Sequence, residues 1–174
     1  MLFRSLWLPA ALLQNDRQGA LSDALFAASR HAPVELHFQK GLAGGSVHAV
    51  AATRDTATNP KVLDAFVLAI VGGEGPPVYP GVNGHEPDFE TARRSANDVA
   101  HAIAELKSLA PGGGSYFAES DFFEPLWQDA YWGPHYPRLL AVKQKFDPNG
   151  LFFVHHGVGS EEWSADGFKK LTRG

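Results

Sequence analysis

Apolar and polar positions along the chain change their period several times, and each change predicts an element. Leu21, Ala24, Leu25 and Ala28 recur at three- and four-residue spacing, which predicts a helix over 16–30 with one apolar face. Pro33 ends it, because proline disfavours helical backbone in the residue before it. Val34, Leu36 and Phe38 then alternate with Glu35, His37 and Gln39. That period of two predicts a half-buried strand whose polar side faces water or a ligand. Residues 5–13 are mostly apolar. Pro9 interrupts them and no small-x-small cleavage pattern follows, so they are expected as a core strand or a loop entering a helix rather than a signal peptide. Residues 62–71 (VLDAFVLAIV) fit either a strand buried on both faces or a helix. The flanking Asn59-Pro60 and Gly72-Gly73 favour the strand. Val47 to Thr53 fits helix or strand equally well.

The strongest helical signal is 87–109. Phe89, Ala92, Ala96, Val99, Ile103 and Leu106 form one stripe, with Pro87 expected in the first turn and a sheet expected beneath the stripe. Residues 72–85, rich in Pro and Gly, read as a loop. Beyond the long helix, the pattern predicts a strand at 115–120, a short helical stretch at 122–130 and a helix at 134–146 with Tyr136, Leu139, Leu140 and Val142 turned broadly inward. A stop and turn follow at Asp147-Pro148-Asn149-Gly150, then a last strand at 151–154, and after Gly159 a surface helix or coil. No repeat or linker interrupts the chain, so a single domain over 1–174 is expected. Its class is α+β: a largely antiparallel sheet with helices packed on one side.

The chain has 174 residues, 44% hydrophobic and 20% charged, enough for a real core. A net charge of −4 without a basic block argues against nucleic-acid binding. The absence of cysteine excludes disulfides and thiolate chemistry. No apolar run is long enough to cross a membrane, and the expected location is cytoplasmic, with secretion left open. Gly41 to Gly45 (GLAGG) reads as a turn, because it lacks the spacing of a phosphate-cradling loop. His155-His156 is a tempting metal pair, but on a strand adjacent residues point to opposite faces, and no other histidine spacing fits a ligand set, so no metal is expected. Glu119 reads as a solvated or salt-bridged carboxylate facing away from Tyr116.

One stretch, 115–163, carries a more specific signal. It contains Tyr116-x-Ala118-x-x-Asp121, then Trp132-Gly133-Pro134-His135-Tyr136-Pro137-Arg138-Leu139, Val142-Lys143, Asp147-Pro148 and Phe152. In that order these residues resemble the C-terminal end of FAD-linked oxidases of the berberine bridge enzyme type, within the vanillyl-alcohol oxidase superfamily. Ala118 and His135 depart from the pattern, since the family usually has Asn at both, near the flavin. The resemblance implies the substrate-binding part of an FAD-dependent oxidoreductase. Such an enzyme oxidises an alcohol or related C–H bond with hydride transfer to flavin. FAD would be bound mainly by a domain or subunit in another chain, with a small-molecule substrate beside it and an oligomer as an open possibility. Tyr116 is then the catalytic candidate, a phenol able to hydrogen-bond a substrate oxygen. His135 and Ala118 occupy cofactor-facing positions, His37, Gln39 and His156 are substrate-facing candidates, and Arg138, Lys143 and Asp147 look structural. The alternative is a non-catalytic α+β module that binds a ligand or partner, from a truncated oxidase gene.

Overall fold

The computed structural model describes residues 2–38 and 45–171. Three strands form one antiparallel sheet: β1 (Leu2–Pro9), β2 (Val34–Phe38) and β3 (Ala65–Gly73), in the order β1-β3-β2. β3 lies between the other two, and Val67 to Val71 are buried on both faces. The run at 62–71 is therefore a strand, but it starts three residues late, because Lys61–Asp64 forms a short helix, α3. The register shifts between Leu8 and Pro9, where a residue without an N–H closes the strand.

Helices α1 (Gln18–Ser29) and α4 (Phe89–Leu109) cover one face of the sheet. Leu6 and Leu8 of β1 and Val67, Ala69 and Val71 of β3 pack there with Leu21, Ala24 and Ala28 of α1 and Val99, Ala102, Ile103 and Leu106 of α4. This is the α+β layer that the periodicity predicts. Pro87 does not enter the first turn of α4. Asp88 is the cap, its carboxylate accepting from the Thr91 amide at 3.0 Å, which meets an otherwise orphaned donor. The same bond holds the Asp88 carboxyl below its ordinary value. Phe89, at the head of the expected stripe, is exposed.

The opposite face carries a smaller cluster, Trp7, Leu68 and Ile70, with Phe3, Val62 and Ala65 against it. The remaining helices are α2 (Val47–Ala52), which settles the ambiguous 47–53 segment as helix, α5 (Trp127–Trp132) and α6 (Tyr136–Phe146). None of the α6 positions expected to point inward is fully buried, and Val142 is exposed.

Two expected strands do not form. Ser115 and Tyr116 run beside β1 but bond to the Ser5 hydroxyl rather than to a backbone ladder, and Phe117–Glu119 closes into a 3-10 turn. At 151–154 the amides of Leu151 and Phe152 are taken by the Asp147 carboxylate, and the Phe152 carbonyl by Lys143. A backbone satisfied by side chains has no ladder to offer.

Leu106 is fully buried between α4 and the sheet. Replacing it with Ala is expected to cost about 3 kcal/mol of stability, through lost transfer energy and a residual cavity. A fall in the urea midpoint at constant slope checks this.

Candidate functional site

The fold brings Tyr116 to the sheet through a contact 111 residues long. The Ser5 hydroxyl accepts the Tyr116 amide at 3.0 Å and is hydrogen-bonded to the Ser115 hydroxyl at 2.8 Å, while the Trp7 amide donates to the Gly114 carbonyl at 3.1 Å. Tyr116 is 44% exposed. Beside this seam lies a cleft of about 330 Å³ lined by Ser5, Gly114, Ser115, Lys107, Glu124 and Asp129. Glu119, expected to face away from Tyr116, sits one 3-10 turn on, its amide donating to the Tyr116 carbonyl at 3.0 Å. Tyr116 is the extended residue that precedes this turn, so the regular strand geometry on which that expectation rested is absent.

His37 pairs with Leu68, the floor residue of the second face, and Glu35 with Ile70. The polar side of β2 therefore lies on the face that the long helices leave free. His37 Nε2 is 2.6 Å from Glu35 Oε1. That bond, with the charges of Glu35 and Glu119, outweighs desolvation and holds the His37 ring above its ordinary value. Glu119 thus acts on His37 across the sheet, and Glu35, not singled out from the pattern, is its direct partner. Gln39 lies outside the described residues.

His135 sits at the N-terminus of α6, and its Nδ1 is 3.1 Å from the Thr58 carbonyl. A carbonyl accepts, so Nδ1 carries the proton, and in the neutral ring Nε2 is an acceptor. Next to Thr58 stands Asn59, read from the pattern only as a turn residue. It is 3% exposed, donates to the Asp129 and Ala130 carbonyls at 3.1 and 2.9 Å and accepts from the Lys61 amide at 3.1 Å. Gly114 and Gly133 press against this amide, both at positive φ, and a Cβ at either would come within 3.1 Å of it or closer. Ala118 is exposed and brings only a methyl group.

His156 does not diverge from His155. The rings stack at 3.9 Å, and His156 also stacks on Trp127 at 5.3 Å. The strand rule fails because the segment is no strand: His156 has φ +57, so neighbouring side chains turn to the same side. Among the described residues no group of three His, Cys, Asp or Glu side chains is arranged to hold a metal ion, and no helix is long and apolar enough to cross a membrane.

The other motif residues build a clasp. Lys143 pairs with Asp147, whose two oxygens take the Leu151 and Phe152 amides at 2.8 and 3.0 Å, and Arg138 pairs with Asp55 in the segment before α3. Lys143 and those amides hold the Asp147 carboxyl below its ordinary value.

A sheet covered on one face by two helices, with the seam at Tyr116 and the clasp at Asp147, places the chain in a class: residues 2–171 have the fold of part of a VAO-type flavoprotein. Two such flavoproteins from Myceliophthora thermophila C1, MtVAO713 and MtVAO615, superpose with TM-scores of 0.70 and 0.72 over 94% of this chain, at 24% and 22% identity. The family model "Berberine and berberine like" matches residues 115–159. Among curated relatives, the flavin-dependent oxygenase ucdF of Aspergillus ustus is 35% identical over 75% of the chain. The FAD-linked oxidoreductase notD of Aspergillus sp. (strain MF297-2) is 37% identical over 71%. The matches span 22% and 19% of those relatives, and 27% and 28% of the two solved chains.

Two outcomes test this geometry. Asn59→Ala leaves two carbonyls and an amide without their side-chain partner, and is expected to cost about 2–3 kcal/mol in urea denaturation, since buried polar groups left unpaired carry their full desolvation cost. Asp147→Ala is expected to abolish hydrogen-exchange protection at the Leu151 and Phe152 amides. In the unaltered chain that protection is retained above the ordinary carboxyl value of about 3.9 and lost as pH falls through the lower folded-state value.

Proposed function

We propose that this chain forms one wall of the substrate site of an FAD-dependent oxidoreductase. The observation that carries this is the second sheet face. It bears a small buried apolar cluster of Trp7, Leu68 and Ile70, with Glu35 and His37 of β2 on the same face and Tyr116 held at the β1 edge through Ser5. An apolar surface with a few convergent polar groups is the usual make-up of a small-molecule site. The match of residues 115–159 to the berberine-like family model and the names of the relatives support a flavin as cofactor.

The described residues fit one side of a flavin site rather than a whole one. Among the described residues these clefts carry no glycine-rich helix start able to cradle a diphosphate, and the polar side chains beside the apolar cluster suit a substrate oxygen. FAD would therefore be held mainly by a further domain or another chain. When bound, it accepts the hydride that leaves the substrate carbon. The Tyr116 phenol hydrogen-bonds the substrate hydroxyl and orients it, with Glu119 as its neighbour. His37, whose ring Glu35 holds above its ordinary value, offers a hydrogen bond from the facing edge. His135 and Ala118 line the cofactor side. Because the His135 Nδ1 proton is engaged by Thr58, the neutral ring would offer the cofactor its Nε2 acceptor. Substrates of this site are alcohols or compounds with a related activated C–H bond.

Absorption spectroscopy tests the reading. The chain alone is expected to lose added FAD on gel filtration. Combined with the flavin-binding part of a berberine-like relative, it is expected to co-elute with the yellow bands. Tyr116→Phe should slow substrate-dependent bleaching by about a hundredfold or more, the range for loss of one proton-handling group, without loss of flavin. Failure to co-elute, or bleaching indifferent to Tyr116, overturns the proposal and leaves a ligand- or partner-binding module.

A further inference from the structure

We infer that the segment 153–159 is held on α5 by a stack of neutral histidine rings that comes apart on acidification. Four rings lie face to face in series. Phe122 stacks on His155 at 4.0 Å and 15°, His155 on His156 at 3.9 Å and 28°, and His156 on Trp127 at 5.3 Å and 10°. Trp127 is 7% exposed and meets Tyr136 edge-on, so the stack reaches into the packing of α5 against α6. His156 is the only non-glycine at positive φ among the described residues, a backbone state that persists only where packing imposes it.

The stack is built for uncharged rings. His155 Nε2 donates to the Phe122 carbonyl at 2.9 Å. His156 Nδ1 is buried and has no hydrogen-bond partner among the described residues. As a bare acceptor it already lacks a partner, and as an N–H⁺ it becomes an unpaired charged donor, which costs more. The titratable groups around it are His155 beside it, Tyr131 on α5, and Asp121 and Glu124 just before α5. Neither carboxylate is free to receive an imidazolium. Asp121 pairs with Arg4 at 3.0 Å and takes the Phe123 amide, while Glu124 pairs with Lys107 at 3.1 Å and takes the Leu126 amide. The Tyr131 hydroxyl donates to the Asp121 carbonyl at 2.8 Å. Two adjacent imidazolium rings at 3.9 Å would also repel each other.

Burial first, and then the neighbouring His155, hold the His156 ring below its ordinary value. The sign follows: between the folded and unfolded values the unfolded chain binds more protons. The stack's contribution is therefore complete above about pH 6.5 and declines as pH falls below it. Release frees Trp127 and the 153–159 segment while leaving the α1–α4–sheet core, which contains none of these rings.

NMR on the intact chain tests the inference, following the His156 ring protons and the Trp127 indole N–H from pH 8 to pH 5. The expected result is a His156 midpoint below 6.5, the ordinary histidine value, with the Trp127 signal moving at the same midpoint. In His156→Phe, which keeps the ring and removes the titration, the Trp127 signal should become independent of pH over this range. In His155→Phe, which removes the like-charged neighbour, the His156 midpoint should rise. His156 titrating at or above 6.5, Trp127 unmoved through the transition, or an unchanged acid transition in His156→Phe overturns it. Should the αL backbone at residue 156 prevent the Phe variant from folding, the direction of the shift in His155→Phe decides alone.

Discussion

The side-chain amide of Asn59 is the joint on which the two parts of the molecule meet. One part is the sheet with α1 and α4; the other is the run of short helices from Tyr116 onward. Asn59 stands just before α3 and β3, and its amide reaches two carbonyls of α5 while its oxygen fixes the first turn of α3. A buried amide with three partners stabilises strongly only while all three are kept. That explains its surroundings. Gly114 and Gly133 are the residues whose backbones come close enough to enclose it, and both hold a positive φ that favours glycine. Gly114 also supplies the carbonyl for Trp7, and Ser115 follows with the hydroxyl bonded to Ser5. The same few residues thus enclose the joint and place Tyr116 at the sheet.

This explains which parts of the structure were legible in the sequence. β2, α1 and α4 were legible because their periods are long, regular and set by one neighbouring surface. β3 was legible because a run buried on both faces needs few cues beyond its Asn-Pro and Gly-Gly flanks. The failures at 115–120 and 151–154 share a cause. Both are short stretches rich in aromatic or apolar residues that look like strands, and in both a side chain satisfies the backbone first. For 151–154 the competitor, Asp147, is four residues away, and an Asp ahead of a Pro-Asn-Gly turn is a signal that could have been read. For 115–120 the competitor is Ser5, more than a hundred residues away, and no local pattern reveals it.

The candidate site divides the same way. His37 was placed on the polar side of β2 by alternation alone, and it lies there. Its partner Glu35 follows from the same alternation, two residues earlier, but the 2.6 Å bond between them depends on side-chain torsions that a pattern does not encode. Tyr116 was singled out through the family resemblance and not through periodicity, which misassigned its backbone. Glu119 lies in the same misassigned stretch, in a 3-10 turn rather than on a strand.

The berberine-like motif itself is mostly structural in this chain, and the distribution of roles follows from its chemistry. Lys143, Asp147 and Arg138 are matched residues, yet each is engaged by another part of the same chain, and none faces the second sheet face. Gly133 is matched because Asn59 leaves no room for a Cβ. Motif residues that tie down the backbone tolerate little variation, since each satisfies several groups at once. A residue facing a ligand needs only to suit that ligand. The departures at Ala118 and His135 fall on positions that tie down little of the chain: Ala118 has no hydrogen-bonding side chain, and His135 makes one bond, to Thr58. Substitution there leaves the clasp and the Asn59 joint intact, so the chemistry presented at these positions changes without loosening the fold.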